Sequence, residues 1–517
     1  MNRFLTFCQK TIAVIGIMIF GVLSYYSLRY TMIRYYSGEA WDHYDIILLH
    51  IMELILAVII LGIVVKICNK LSEKSMHVIA IIISGIVIFV CRILYLSADF
   101  QPIVDQVHIY INAASIADPE IGYIVEPQYF TLFPFQIGLT EMMAFLLKTV
   151  GFSSPRVIQS AHCILMGLTV YIGYRITREI FKNIKIELLY LILAMLFLPE
   201  YIYTMYVYGE TLGICAAMYG CFFFLLANRN ETTVKRAVLY YVAMIFCMTI
   251  AYLARGAMLV VCVAFLIIQI MLCLKSKKFL YILPILLTFP CVILAAKGMT
   301  ALAENQSNYE YGEGCPKIMW IAMGMQESDA GAYYPGTYNG FNADVFIEND
   351  YNVQATAEIG KKAIIDRLQE WSKHPADMID FYRRKTIFQW NNPTYDAFFA
   401  TYYMENPKDW LYKAYFDETV HNGIINFMDG YQFLVYIALL VYYIKELVTK
   451  SDVKNLFLGL IMVGGFLFSL LWETNSRYVF PYIAITLPCA AAGFFYMENW
   501  VAMQGEKCKQ LILNRKK

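Results

Sequence analysis

Asp105 opens the stretch DQVHIYINAASIAD, in which Val107, Tyr110, Ile111 and Ala114 fall on one face of a helix. A carboxylate in the first turn of such a helix is favoured in its ionised form by the helix dipole. An ionised carboxylate can accept the proton of a hydroxyl nucleophile, which is worth roughly 10²–10⁴-fold in rate. The simpler use of the same residue is an ordinary N-cap. Asp99 competes for the role of base, and Gln106 and His108 follow Asp105 directly. Two more acidic residues lie in apolar surroundings, Glu141 in TLFPFQIGLTEMMAFLLK and Glu210 in VYGETLG. Glu141 is a candidate substrate ligand. Glu210 is suited to orienting an acceptor, to holding a divalent metal together with Asp105, or to capping the helix that starts there. Cations suited to a phosphate occur in three places: Arg383, Arg384 and Lys385 in FYRRKTIFQWNNP, Arg477 in WETNSRYVFPY, and Arg255 in YLARGAM. An Arg477–Glu473 pair at helical spacing is the plainer reading of that arginine. Trp320, Tyr334 and Tyr338 are aromatics that offer flat faces to a ligand or pack a small domain, and the tyrosines of YIYTMYVYGE suit an interfacial belt.

These residues must be positioned by membrane helices. The 517-residue chain is 59% hydrophobic and only 16% charged, against roughly 25% charged in soluble proteins, and its mean hydropathy is +0.53. The net charge of +1 gives no reason to expect a nucleic-acid partner. There is no His/Cys cluster at zinc spacing within the sequence and no phosphate-binding Gly loop. Cys315 is the lone cysteine of the large polar segment, which therefore holds no internal disulfide. The apolar start is read as a retained first span, since no small-residue cleavage site follows it.

Apolar stretches at 11–29, 46–66, 76–97, 131–148, 157–174, 186–206, 210–227, 237–254, 257–274, 279–297, 431–446, 455–472 and 478–498 are the candidate spans. The Lys/Arg bias toward the cytoplasm puts both termini inside, with the groups around residues 66–74, 175–185, 229–236, 275–278 and 445–454. One crossing too many then remains between residues 98 and 175. The segment 131–148, carrying Pro134, Gly138 and Glu141, is the poorer span and is expected to be a re-entrant or juxtamembrane helix. The expectation is an all-α polytopic membrane protein with about twelve spans. It comprises an N-terminal module over 1–297 with an outer loop at 98–130, an extracytoplasmic loop domain over 298–430, final spans over 431–503, and a basic cytoplasmic tail at 504–517. Glu53, Arg92 and His162 are further ionisable residues within apolar runs.

An acidic residue in an outer loop at the start of an amphipathic helix resembles the GT-C superfamily of membrane glycosyltransferases. DQVH is similar to the Asp-Glu-Val-His stretch of protein O-mannosyltransferases, with Gln106 in place of the Glu. The Asp-Gln pair followed by FPFQIG, with Gln136 at its centre, looks like Gram-positive cell-envelope members, as do Trp320, the Met-Gly pair of WIAMGMQ and the downstream GTYN around Tyr338. The resemblance implies a GT-C-like bundle of about twelve helices, a polyprenyl-phosphate sugar as donor, and an envelope glycan, polymer or lipid as acceptor, on the outer face of the cell membrane. It further implies Asp105 as general base and inversion at the anomeric carbon. No cofactor is required by it, although a divalent metal on Asp105 and Glu210 is compatible. Two other readings stay open: a lipid-linked glycan polymerase or ligase centred on the paired arginines, and a lipid or solute transporter, which would show symmetric halves.

Overall fold

The computed structural model describes residues 2–35, 38–118, 120, 127–328, 334–449 and 452–515. The chain begins with α1 (Asn2–Ser27), followed by a short antiparallel hairpin, β1 (Tyr30–Arg34) and β2 (Ala40–Tyr44), in which Tyr30 faces Tyr44 and Arg34 faces Ala40. Then come α2 (Ile47–Cys68) and α3 (Glu73–Ala98). The start of α3 is fixed by Ser72, whose hydroxyl accepts from the Ser75 amide. Next are α4 (Asp105–Ala117), α5 (Pro127–Leu132), α6 (Ile137–Val150) and α7 (Pro155–Phe181). Ser154 caps α7 and Pro155 occupies its first turn, where a missing N–H costs nothing.

The element expected at 131–148 is indeed broken. Pro134 starts a single 3₁₀ turn, Pro134–Gln136, between α5 and α6, and neither piece is long enough to cross a bilayer. Residues 121–126 of the 98–130 loop lie outside the described residues. The apolar run 186–206 departs from expectation. It forms α8 (Ile184–Leu196), stops, and restarts as the short α9 (Leu198–Ile202) with Pro199 in its first turn. Proline cannot continue a helix hydrogen-bonded to the preceding turn, so the run is divided, and 13 residues of α8 span only about 20 Å.

α10 (Glu210–Ala227), α11 (Val234–Ala254), α12 (Leu259–Ser276) and α13 (Leu283–Ser307) complete the first module. A folded segment follows, with α14 (Ile318–Met323), α15 (Phe341–Glu348), α16 (Val353–Lys373), α17 (Pro375–Trp390), α18 (Ala397–Ala400) and α19 (Asp409–Phe416). It has its own small cores, Met319, Met323 and Phe346 in one and Met325, Trp371 and Phe381 in another. The chain ends in α20 (Glu418–Val448), α21 (Phe457–Leu471) and α22 (Phe480–Arg515). Because α13 runs to Ser307 and α20 starts at Glu418, capped by the Asp417 side chain, the inter-span segment is 308–417, narrower than 298–430. The stretch expected as a tail at 504–517 continues α22 as far as Arg515. The protein is therefore an all-α polytopic membrane protein, with eleven helices among the described residues long and apolar enough to cross a membrane.

Lipid tails are as apolar as leucine, so close packing and interhelical hydrogen bonds, not burial from water, hold such helices together. α20 and α22 meet so closely at Gly493 that a Cβ there would sit 1.8 Å from the Ala438 carbonyl oxygen. Buried tyrosines add polar ties between elements. Tyr436 donates to the Trp390 carbonyl at 2.5 Å, Tyr443 to that of Gly459 at 2.7 Å, and Tyr431 to that of Leu193 at 2.9 Å. One end of the bundle collects cations from distant parts of the chain: Arg175, Arg178 and Arg229 line one hollow with His77 and Glu179, and Lys454 donates to the Asn228 carbonyl beside it. These are groups that the positive-charge bias assigns to a single side.

Candidate functional site

At the other end, four connections converge on Asp105. The first is the start of α4 itself. Val104, which precedes Asp105, has φ +52°, a conformation that costs a β-branched residue energy and that the surroundings must impose. Behind it, Gln106 is buried and wholly engaged: its Oε1 accepts from the Val207 amide at 2.9 Å and its Nε2 donates to the Ile103 and Ala400 carbonyls. Gln106 is thus a clamp that fixes the helix start to the 203–209 turn, with both ends of its amide committed to backbone groups. Asp105 is partly exposed and acts on the Tyr129 hydroxyl both as a charge and as a hydrogen-bond partner. Burial, then Asp105, pushes that hydroxyl well above its ordinary range. His108 stacks on the Tyr129 ring, 4.4 Å between centroids and 12° from parallel.

The second and third connections are the tyrosine turn and the Arg255 turn. They touch at Gly209, where a Cβ would lie 2.0 Å from the Ala254 carbonyl oxygen, so only glycine lets Glu210 approach Arg255. Glu210 is 1% exposed and faces two guanidinium groups, Arg255 Nη2 at 3.4 Å and Arg477 Nε at 3.6 Å. Both of its carboxylate oxygens lack a hydrogen-bond partner, as does the buried Arg477 Nε. Arg477, from the fourth connection between α21 and α22, donates to the Tyr206 hydroxyl. Its guanidinium lies over the Tyr206, Tyr208 and Tyr478 rings at 5.4, 5.2 and 5.6 Å, and Arg255 lies over Tyr208 and Tyr478 at 5.6 and 5.4 Å. Gln136 donates to the Tyr208 hydroxyl and so ties the broken α5–α6 element to the same cluster.

Glu473 completes the arrangement. It is 4% exposed and accepts from the Tyr478 hydroxyl at 3.3 Å. Burial, reinforced by Asp105, raises its carboxyl to about 8, against opposing pulls from Arg34 and Arg255. At neutral pH it is chiefly protonated. Arg34 reaches this edge from β1, paired with Asp396 at 3.2 Å and seated 3.8 Å over the Phe399 ring. Tyr338 lies near Glu473 and Asp105, and its hydroxyl is pushed up to about 12, first by burial and then by those two carboxyls. Beside Glu473, Trp472 stacks on Trp320 at 5.9 Å and 8°.

Asp105, His108, Gln136, Glu210, Arg255, Tyr338 and Arg477 are therefore gathered in one place. Lys385 reaches the edge of this cluster beside Glu473, whereas Asp99, Glu141, Arg383 and Arg384 lie apart from it. Asp99 is paired with Arg156 at 2.7 Å, and its carbonyl accepts from the Glu405 amide at 3.2 Å. Glu141 faces Gln306 at the end of α13, with Oε1 buried and unpaired. Arg383 and Arg384 both bind Asp380, and Arg384 also binds Glu327, at the surface of α17. Lys385 is 1% exposed and donates to the Gly324 and Trp472 carbonyls at 2.6 and 2.8 Å; burial lowers its amine to about 7. It is a tie between the folded segment and α21. Arg477 pairs with Glu210, not with its near neighbour Glu473. A metal on Asp105 and Glu210 does not fit, because Glu210 already faces two fixed cations. Tyr129, Arg34 and the carboxyl of Glu473 were not expected as site residues. WETNSRY carries Glu473 beside Arg477, and that juxtaposition was the available signal; Arg34 lies in a short polar connection that offers none.

Fold and site together define an all-α, polytopic integral membrane protein with a cluster of carboxyls, arginines and tyrosines at one end of its bundle. The chain belongs to the family of conserved hypothetical integral membrane proteins, whose family model matches residues 4–494. No curated protein and no solved structure matches it.

Proposed function

We propose that the protein is a glycosyltransferase that uses a polyprenyl-phosphate sugar and acts on an envelope glycan or lipid acceptor at the extracytoplasmic face, with Asp105 as base. The observation that carries this reading is the placement of Asp105 in one cluster with Arg255 and Arg477, although the three come from separate connections of the chain. Asp105 takes the proton of the acceptor hydroxyl as its oxygen bonds to the anomeric carbon. The bond from that carbon to the phosphate oxygen breaks, polyprenyl phosphate leaves, and the configuration inverts. Two arginines share a single carboxyl group, Glu210, while Glu473 stays largely protonated at neutral pH. Glu473 therefore adds no negative charge beside these two guanidinium groups, which suits a phosphate whose negative charge grows as it departs. Tyr338 and His108 are placed to flank a sugar.

The polymerase or ligase reading centres on Arg383 and Arg384, which are neutralised by Asp380 and Glu327; this favours the transferase. The test is transfer from a panel of polyprenyl-phosphate hexoses by full-length protein in liposomes containing total envelope lipid and glycan. Asp105→Asn is expected to lower transfer by roughly 10²–10⁴-fold with the melting temperature unchanged. Full activity of Asp105→Asn refutes the assignment.

A further inference from the structure

A second polar cluster lies at the base of the β1–β2 hairpin, and the site above makes no use of it. Asp45 follows β2, His50 is in the first turn of α2, and Asp429 comes from α20. His50 Nε2 is 3.3 Å from Asp429 Oδ2 and 3.8 Å from Asp45 Oδ2, and one ligand atom from each of the three residues lies within 4.8 Å of the others. We propose that these three side chains bind a divalent transition-metal ion, of which Zn²⁺ is the best match, and that the ion fastens α2 and the hairpin to α20.

Four observations support the site. First, both ring nitrogens of His50 face carboxylates. Nδ1 is 2.9 Å from Glu53 Oε2, and a proton on Nδ1 donated to Glu53 leaves the Nε2 lone pair directed at Asp45 and Asp429. That lone pair would face two carboxylates, an arrangement stable only with a metal ion between them or with a second proton on Nε2. Second, the 3.3 Å between His50 Nε2 and Asp429 suits a metal better than a proton, and Asp45, at 3.8 Å, need close by only a few tenths of an ångström to join it. Charge-assisted N–H···O bonds close to about 2.7–2.9 Å, whereas ligands at about 2.0–2.2 Å from a tetrahedral ion lie about 3.3–3.6 Å apart. Third, Asp429 is 6% exposed and its Oδ1 is buried without a partner, as is the Asp45 Oδ2 that points at His50. A proton on Nε2 would leave at least one of these oxygens unpaired; a metal with three protein ligands draws on both carboxylates.

Fourth, the outer hydrogen bonds of a metal site are present. Histidine ligands commonly give their second N–H to a carboxylate, here Glu53, and Thr31 donates to Asp45 Oδ1 at 2.5 Å. Gly430 leaves the room for this: a Cβ there would lie 2.6 Å from a Glu53 carboxylate oxygen. The donor set of one imidazole and two carboxylates suits Zn²⁺ or Mn²⁺ and not Mg²⁺, which prefers oxygen and retained water. Two aspartates and a neutral imidazole balance a divalent ion. The need for such a fastening is plain in α2, of whose most apolar stretch only 11% is buried inside the protein.

The experiment uses full-length protein in detergent, stripped with a chelator and dialysed, then titrated with Co²⁺ and separately with Zn²⁺. The expected result is the visible absorption of tetrahedral Co²⁺ saturating at one equivalent, its displacement by Zn²⁺, and a Zn²⁺-dependent rise in melting temperature. His50→Gln and Asp429→Asn should abolish both signals, and Asp409→Asn, at an exposed lysine pair, should keep them. Since a site variant could fail to fold, the wild-type titration decides by itself. No stoichiometric Co²⁺ band and no Zn²⁺-dependent rise would mean that a proton alone occupies the cluster, and would overturn the proposal.

Discussion

Glu210 gives the most demanding test of the site's geometry. Its carboxylate is the shared counter-charge of Arg255 and Arg477, at 3.4 and 3.6 Å, and all three side chains are largely removed from water. In an effective dielectric of about 20, each contact is worth about 5 kcal/mol of gross attraction. Desolvation of the ions offsets much of that, and the net cost of removing one member of a buried pair is about 3–5 kcal/mol. Glu210→Gln keeps shape and volume but leaves two buried guanidinium groups facing a neutral amide, so it should cost about 3–5 kcal/mol, a large share of a typical total stability of about 5–15 kcal/mol. Arg477→Gln leaves the Glu210–Arg255 pair intact and should cost less. In the double variant only Arg255 lacks a partner, so the combined loss should fall short of the sum by about 1–3 kcal/mol. The assay is the unfolding midpoint of micellar protein in a denaturing-detergent titration, for wild type and the three variants. Additivity within about 0.5 kcal/mol would refute the shared-carboxylate arrangement.

Three further outcomes follow from the packing and charge described. Glu473 ionises near its ordinary 4.5 in the unfolded chain but only near about 8 when folded, so stability should fall as pH rises from about 4.5 to about 8 and then level off. The upper bound is about 5 kcal/mol; Glu473→Gln should flatten that slope in melting temperature from pH 5 to 9, and an unchanged slope would count against the buried carboxyl. Arg384→Ala removes only partly exposed ion pairs and should change stability by no more than about 1 kcal/mol, with transfer activity retained; loss of transfer at unchanged stability would revive the paired-arginine reading. Gly493→Ala forces a methyl against the Ala438 carbonyl and should cost about 1–3 kcal/mol, read as a lower unfolding midpoint; a neutral result would show that α20 and α22 are not so close.

Hydropathy was enough to reveal the helices, because a bilayer-length apolar run leaves few other structures open to the backbone. The break at Pro134 was legible for the same reason that Pro199 should have been: each proline removes a backbone donor from an apolar run. Asp105 stood out through its helix start, and Arg255 and Arg477 through their places between apolar runs. What could not be read was commitment. Nothing in RRK distinguishes arginines free to hold a phosphate from arginines bound to Asp380 and Glu327, and nothing in DQVH shows that Gln106 is spent on the Val207 amide. Partners separated by hundreds of residues, such as Arg34 with Asp396 or His50 with Asp429, leave no local pattern.

The stacked indoles of Trp320 and Trp472 join the 308–417 segment to the end of α21. Indole fluorescence responds to what the ring touches, so parting the two stacked rings would change the emission of both. The protein therefore carries a built-in optical gauge of whether the segment is seated on the helices, legible without labels and next to the carboxyl that charges on the alkaline side.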